Sequence, residues 1–167
     1  VEIQGLTTTN CFSSPRRIAN GVDFNRLLLK AAVLTKRAGL KLFNQDIIVN
    51  VTGGLRMNEP AVDLGIASAI ASSFYDRKPI SRLVVLGEVG LNGELRGVPR
   101  IERRIAEAIR LGFKSCLMPK LPPVIAVSRS SERSEEAAKQ SLNSADIQLI
   151  EASSVAEALR LGLTKEM

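Results

Sequence analysis

Strand-like and helix-like stretches alternate along the 167 residues of this chain, and that alternation predicts an α/β (α+β) sandwich. Two further observations agree. An apolar fraction of 45%, with 4% aromatics and no tryptophan, asks for a core of Leu, Ile, Val and Ala. A chain of this length is most simply one domain, able to bury about 70% of its unfolded surface. Three segments also end alike: Arg37-Ala38-Gly39-Leu40, Arg110-Leu111-Gly112-Phe113 and Arg160-Leu161-Gly162-Leu163. They read as helices that share glycine C-capping.

In order, Val1 to Leu6 alternates apolar and polar residues, as a half-buried strand does. Arg16 to Val22, after Pro15, is a second and weaker strand. Asp23 is a good N-cap for a helix through Arg37, with Leu27, Ala31 and Leu34 on its apolar stripe. Lys36 and Arg37 fall in its last turn, where the helix dipole favours cations. Ile47 to Val51 is a β-branched strand that Gly53-Gly54 breaks. Glu59-Pro60 opens a helix to about Phe74, since proline at the first helical position loses no hydrogen bond. The continuous apolar run Leu83 to Leu86 predicts a strand buried on both faces. Asn92-Gly93 predicts a type I′ hairpin turn within Leu91 to Glu94. A helix from about Pro99 to Leu111 precedes a strand at Ser115 to Met118, stopped by Pro119. Leu121 to Gln140 is expected to hold a loop and then a short helix. Ile147 to Ile150 is the last strand, and Ser153 is expected to cap the final helix.

Composition removes several kinds of chemistry. There are no histidines, which excludes histidine triads, histidine bases and most zinc sites. Carboxylate-only magnesium sites survive in principle, but no Asp-x-Asp cluster suggests one. Cys11 and Cys116 form no Cys-x-x-Cys motif and read as reduced packing residues. No apolar run approaches the ~20 residues of a membrane span, and no signal peptide opens the chain, so a soluble intracellular protein is expected. A net charge of +6, with 15 Arg to 8 Lys, favours polyanion partners, because the guanidinium fork matches phosphate. The glycine-rich stretch Gly87 to Gly93 lacks a lysine and a following helix N-terminus, and turn geometry explains it better than phosphate binding.

One constellation carries more. Gly53-Gly54-Leu55-Arg56-Met57-Asn58-Glu59-Pro60-Ala61-Val62-Asp63 is followed by Gly87-Glu88-Val89-Gly90-Leu91-Asn92-Gly93-Glu94. The pair resembles the proteolytic domain of Lon-type proteases, in which a Gly-Pro-Ser-Ala-Gly stretch supplies a serine nucleophile and a later helix supplies a lysine. Laid on that frame, Ala61 stands in the serine position and Glu102 in the lysine position. A methyl group cannot attack a carbonyl, and a carboxylate cannot replace the deprotonating amine. Ser68, Ser72 and Ser73 lie 7, 11 and 12 residues beyond Ala61, about 10 Å or more of helix rise and outside the same pocket. Lys78 and Lys114 follow helix ends. Asp63 narrows the old pocket and is expected to pair with an arginine, Arg56 or one from a neighbouring subunit.

Further blocks narrow the resemblance: Pro15-Arg16-Arg17, Gly21-Val22-Asp23-Phe24-Asn25-Arg26-Leu27, Gln45-Asp46, Ser72-Ser73, and Glu107-Ala108 with Leu111-Gly112-Phe113. From residue 1 to about residue 162 the chain resembles the C-terminal Lon-like domain of the RadA/Sms family, bacterial and plant-organellar DNA-repair ATPases related to RecA. The resemblance implies the ribosomal protein S5 domain 2-like fold of Lon proteolytic domains. It implies a non-catalytic domain that assembles as a hexameric ring, scaffolds an ATPase and helps hold DNA during recombination and branch migration. A parent protein would use ATP, magnesium and a structural zinc. This chain has no Gly-x-x-x-x-Gly-Lys-Ser/Thr and no four-cysteine cluster, so no cofactor or metal is expected in it. Residues 1–167 therefore read as a single domain cut from a longer protein. The implied partners are DNA, further copies of the chain and other recombination proteins, without a membrane. The implied location is a bacterial cytoplasm or, in a plant, a chloroplast or mitochondrion.

Candidate DNA-contacting residues are Arg16 and Arg17, Arg77 and Lys78, and Arg100 and Arg103. On the helix near residue 105, Ile101, Ile105, Ala108 and Ile109 form a buried stripe, leaving Arg103 and Arg110 on the opposite face. Glu107 is expected to neutralise part of the charge of Arg103 and Arg104. Five Phe and one Tyr, mostly inside apolar segments, make no stacking platform. Contact is therefore expected to backbone phosphate, independent of sequence. Three alternatives remain: a structural oligomerisation module without DNA contact that spends its charge between subunits, a residual Ser-Lys peptidase, and a platform that keeps the old protease groove for a partner peptide.

Overall fold

The computed structural model describes residues 1–10, 14–120 and 147–164. Strands β1 (Ile3–Thr9), β2 (Arg17–Asn20) and β3 (Gln45–Val51) form a mixed sheet in the order β1-β3-β2. β1 runs antiparallel to β3 and β2 runs parallel to it. A parallel pair needs a crossover, and helix α1 (Phe24–Arg37) supplies it between β2 and β3. The Asp23 carboxylate accepts the Arg26 N–H at 2.9 Å and caps α1 as expected.

Period-two alternation sets which face of this sheet is covered. Ile47, Val49 and Val51 are buried inward, whereas Leu6, Ile48 and Ile18 fall in register across the outer face. There Leu6 is 54% exposed and Ile18 41%. Helix α2 (Asp63–Tyr75) packs across β1 on the inner face. The crossing is so close that a Cβ on Gly5 would sit 2.6 Å from the carbonyl carbon of Ala69.

The second half forms a parallel sheet in the order β4-β7-β8, from β4 (Leu83–Val85), β7 (Ser115–Pro119) and β8 (Gln148–Ala152). A hairpin of β5 (Glu88–Val89) and β6 (Leu95–Arg96) and helices α3 (Ile101–Arg110) and α4 (Val155–Gly162) complete it. All five residues of β7 are buried. Leu117 joins the main core with Leu34, Leu64, Ile70 and Leu159, while Cys116 and Met118 join a second cluster with Ala61, Val98, Ile101 and Ile105. The doubly buried strand is thus β7, the central one. β4 lies at the sheet edge and is only half-buried, which corrects the expectation for Leu83 to Leu86.

Other elements shift by a residue or change type. β1 reaches Thr9, and the N-cap of α4 is Ser154, not Ser153; its hydroxyl accepts the Glu157 N–H at 3.2 Å. The Ser153 N–H is held instead by the Glu157 carboxylate at 2.8 Å. The β5–β6 turn is not type I′. Gly93 adopts φ +80° but Asn92 stays at negative φ, and the Gly93 N–H bonds the Gly90 carbonyl at 3.0 Å. The Gly90 N–H bonds Glu94 O at 2.9 Å, so the loop has three residues and its last one takes the left-handed conformation. Gly39 and Gly112 do end helices at positive φ, but Gly162 does not. Gly162 is small for a packing reason: a Cβ there would meet the Leu117 side chain at 2.8 Å. The expectations for Leu121 to Gln140 and for Cys11 lie outside the described residues.

Candidate functional site

The segment between β3 and α2 is built to be held rather than to move. Pro60–Val62 forms a short 3₁₀ turn that feeds α2. The Gly87 N–H donates to the Ala61 carbonyl at 3.1 Å, and the Leu64 N–H donates to the Gly87 carbonyl at 3.1 Å. Ala61 is 3% exposed and its methyl lies in the apolar cluster of Val98, Ile101 and Ile105. Glu102, one residue further along α3, is exposed. The helical period explains the split, because Ile101 and Ile105 take the inward stripe and residue 102 turns away from it. A methyl offers no nucleophile, and the Glu102 carboxylate stands in water.

Beside Ala61 lies a buried ionic cluster. Asp63 Oδ2 is 2.8 Å from Lys30 Nζ, and Oδ1 is 3.6 Å from Arg26 Nε. Lys30 Nζ also donates to the Val89 carbonyl at 2.6 Å, and the Val89 N–H donates weakly to Asp63 at 3.4 Å. The Arg26 guanidinium donates to the carbonyls of Asn58 at 2.9 Å and Glu59 at 2.8 Å. From the other side, the Arg104 fork grips the Glu59 carboxylate and donates to the Pro99 carbonyl at 3.0 Å. The arginine partner expected for Asp63 is therefore Arg26 of the same chain, joined by a lysine. Lys30 escaped the sequence reading. It shares the inward face of Leu27, Ala31 and Leu34, and a cation at such a position needs a buried anion.

The six cationic candidates fall in different settings. Arg16 is exposed, and its main-chain N–H donates to Asp46 at 2.6 Å. That bond and one from Asn10 hold the Asp46 carboxyl below the usual range. Arg17 turns to its own chain, donating to the carbonyls of Leu42 at 2.9 Å, Arg16 at 3.0 Å and Gln45. Partial burial lowers its pKa. Arg77 is half-buried with its guanidinium carbon 5.6 Å from the Tyr75 ring centroid, and Lys78 beside it is exposed. Arg100 and Arg103 are both exposed on α3, 100 at its N-cap with φ 57°. Glu107 pairs with Arg110, not with Arg103 or Arg104. Among the described residues no group of three or more His, Cys, Asp and Glu is placed to hold a metal ion. No helix among them is long and apolar enough to cross a membrane. Cys116 is a free buried thiol, and desolvation pushes its pKa up to about 12.

Comparison with known proteins adds two findings. A family model described as subunit ChlI of Mg-chelatase matches residues 4–121. Proteins named DNA repair protein RadA are 54% identical over 119 residues in Halalkalibacterium halodurans and 52% over 119 residues in Bacillus subtilis. In each case the match covers 71% of this chain and 26% of the relative. A RadA from Synechocystis sp. is 48% identical over 120 residues, 72% of this chain and 24% of its own length. The chain thus spans about a quarter of the length of the curated relatives it matches.

Proposed function

This chain belongs to the family described as subunit ChlI of Mg-chelatase, and from that membership and its RadA relatives we propose that it is the non-catalytic, Lon-like domain of a RadA-type DNA-repair protein. The observation that carries the reading is about half identity to proteins named RadA, over 119 residues or 71% of this chain. Its fold is read as the ribosomal protein S5 domain 2-like arrangement of Lon proteolytic domains. The buried methyl of Ala61 and the exposed carboxylate of Glu102 support the loss of a Ser-Lys peptidase. In the parent protein a RecA-related ATPase, with ATP, magnesium and a structural zinc, supplies the motion, and this domain supplies a ring and a grip on DNA.

The grip is electrostatic and independent of sequence. Arg16, Lys78, Arg100 and Arg103 keep exposed side chains suited to phosphate. Arg17 supports the same surface indirectly, by fixing the entry to β2 and β3 through three carbonyls. The RadA-like reading includes assembly into a hexameric ring, and self-association is supported by the in-register row of Leu6, Ile48 and Ile18 on the outer sheet face, where Leu6 and Ile18 are exposed. One observation favours the scaffold-only alternative: Arg17, Arg104 and Arg110 already spend their charge within the chain.

The deciding experiment is fluorescence anisotropy of labelled duplex and single-stranded DNA across salt concentrations, with the oligomeric state measured in the same buffer. Affinity falling log-linearly with salt is the expected result, and its slope counts the phosphates held. An oligomer that binds no DNA even at low salt leaves the scaffold alternative standing. Cleavage of casein would overturn the non-catalytic reading.

A further inference from the structure

Three chain segments meet at one corner of the molecule: the C-terminal end of α1, the end of α2 with residues 76–80, and the end of α4. They enclose a cavity of about 230 Å³. Its floor is apolar, from Ala38, Leu159 and Leu163, and its rim carries Tyr75, Arg77 and Arg160. Backbone hydrogen bonds hold the rim in place. The Ile80 N–H donates to the Gly162 carbonyl at 3.0 Å and the Thr164 N–H to the Lys78 carbonyl at 2.9 Å, around an antiparallel bridge of Pro79 and Leu163. The Arg77 N–H donates to the Ser72 carbonyl at 3.0 Å, and the Ser72 hydroxyl returns to the Arg77 carbonyl at 2.6 Å. Asp76 makes the turn at φ 51°, directing the chain from α2 toward α4. Lys78 and Arg160 are thereby carried on two segments stitched to each other, and both are exposed.

We propose that this corner is a nucleotide-binding notch, in which Arg160 and Lys78 hold one backbone phosphate of a single DNA strand and the Tyr75 ring receives the adjoining base. The inference rests on the DNA-binding reading above and names the contact within it. The half-open space is below the roughly 300–1,000 Å³ of sites that enclose a drug-sized molecule, so it suits a base inserted in part from a longer strand and not a whole free ligand. Its chemistry selects a phosphate with a flat apolar neighbour, because the guanidinium groups of Arg77 and Arg160 line it with an aromatic ring and an aliphatic floor, and the chain of Lys78 is bonded to the lining residue Thr164. Tyr75 is 40% exposed, and the Arg77 guanidinium carbon lies 5.6 Å from its ring centroid, so a base has to take the ring face that Arg77 leaves open. The single tyrosine of the chain is thus outside the core and at a cationic rim. Paired bases in a duplex present no free face to Tyr75, so the notch favours single strands.

The test titrates fluorescein-labelled oligothymidylate and a labelled duplex with the 167-residue chain and three variants: Arg160→Ala with Lys78→Ala, Tyr75→Ala, and Tyr75→Phe. The double variant is expected to lower the salt slope for oligothymidylate by about 0.7, the share of the one phosphate that the two cations hold together. Tyr75→Ala is expected to weaken oligothymidylate binding roughly tenfold, with little change for duplex, and Tyr75→Phe to retain it. Unchanged far-ultraviolet dichroism and melting temperature establish that each variant folds. If the parent chain binds DNA and all three variants bind it equally well, the notch is overturned while the DNA-binding reading stands. If the parent chain binds neither DNA, both fall together. Tighter binding of polyglutamate than of oligothymidylate, lost in the double variant, assigns the corner to an acidic peptide and overturns the nucleotide.

Discussion

An ammonium and a carboxylate 2.8 Å apart, both almost out of water, lose hydration before they gain attraction. Lys30 and Asp63 tolerate this because Val89 supplies further hydrogen bonds and Arg26 stands nearby. Removing Asp63 leaves Lys30 without its counter-ion, and removing Lys30 leaves Asp63 with only the more distant Arg26. Lys30→Met or Asp63→Leu is expected to destabilise the chain by about 3–5 kcal/mol in urea unfolding, while the double variant recovers most of that loss. Equal losses from single and double variants would show that the pair acts only through shape. Cys116 makes a pH-dependent prediction. Its thiol is raised from 9.0 to about 12, so the native state keeps a proton that the unfolded chain releases. The contribution is complete below pH 9 and is lost as pH rises from about 9 toward 12, at about 1.4 kcal/mol per pH unit. Cys116→Ala, though less stable overall, is expected to lack that part of the slope. Neither buried group was fully legible in the sequence. Cys116 was read as a packing residue, but Lys30 was hidden by its charge among leucines, and its partner lies 33 residues away along the chain.

At the scale of elements, what a single segment decides was legible, and what a neighbour decides was not. The Asp23 cap, the α1 stripe and the α3 stripe follow from local spacing and appear as expected. β4 and β7 are both short apolar runs, and only their order in the sheet makes β7 the doubly buried one. The Asn92-Gly93 pair suggested a two-residue loop; the observed loop has three, with the Asn92 N–H held by the Glu94 carboxylate at 3.1 Å. Gly5 carries no signal in the sequence, because the close passage of α2 leaves no local trace. Gly5→Ala would press its methyl into the backbone at Ala69 and Ile70, at 2.6 to 2.9 Å. A loss of about 1–3 kcal/mol is expected from the urea midpoint, with α2 displaced. An unchanged midpoint would mean that α2 and β1 separate more easily than their packing suggests.

Across the whole molecule, the α/β class was legible from alternation, whereas the cationic surface was only partly so. Charge counts gave no hint that Arg17 faces carbonyls, that Arg104 grips Glu59, or that Arg160 joins Arg77 and Tyr75 at one corner. Those facts depend on which chain ends meet. The parallel sheet has a consequence for synthesis of the protein. Its middle strand is sealed on one side by β8, and α4, which follows β8, seals the main core. A chain emerging from the ribosome carries β7 long before residues 148–162 arrive to cover it. Until then five residues meant for the interior stand beside an unpaired strand edge. Emergence of α4 from the ribosome, rather than completion of the first sheet, is therefore the step that covers the core of this domain.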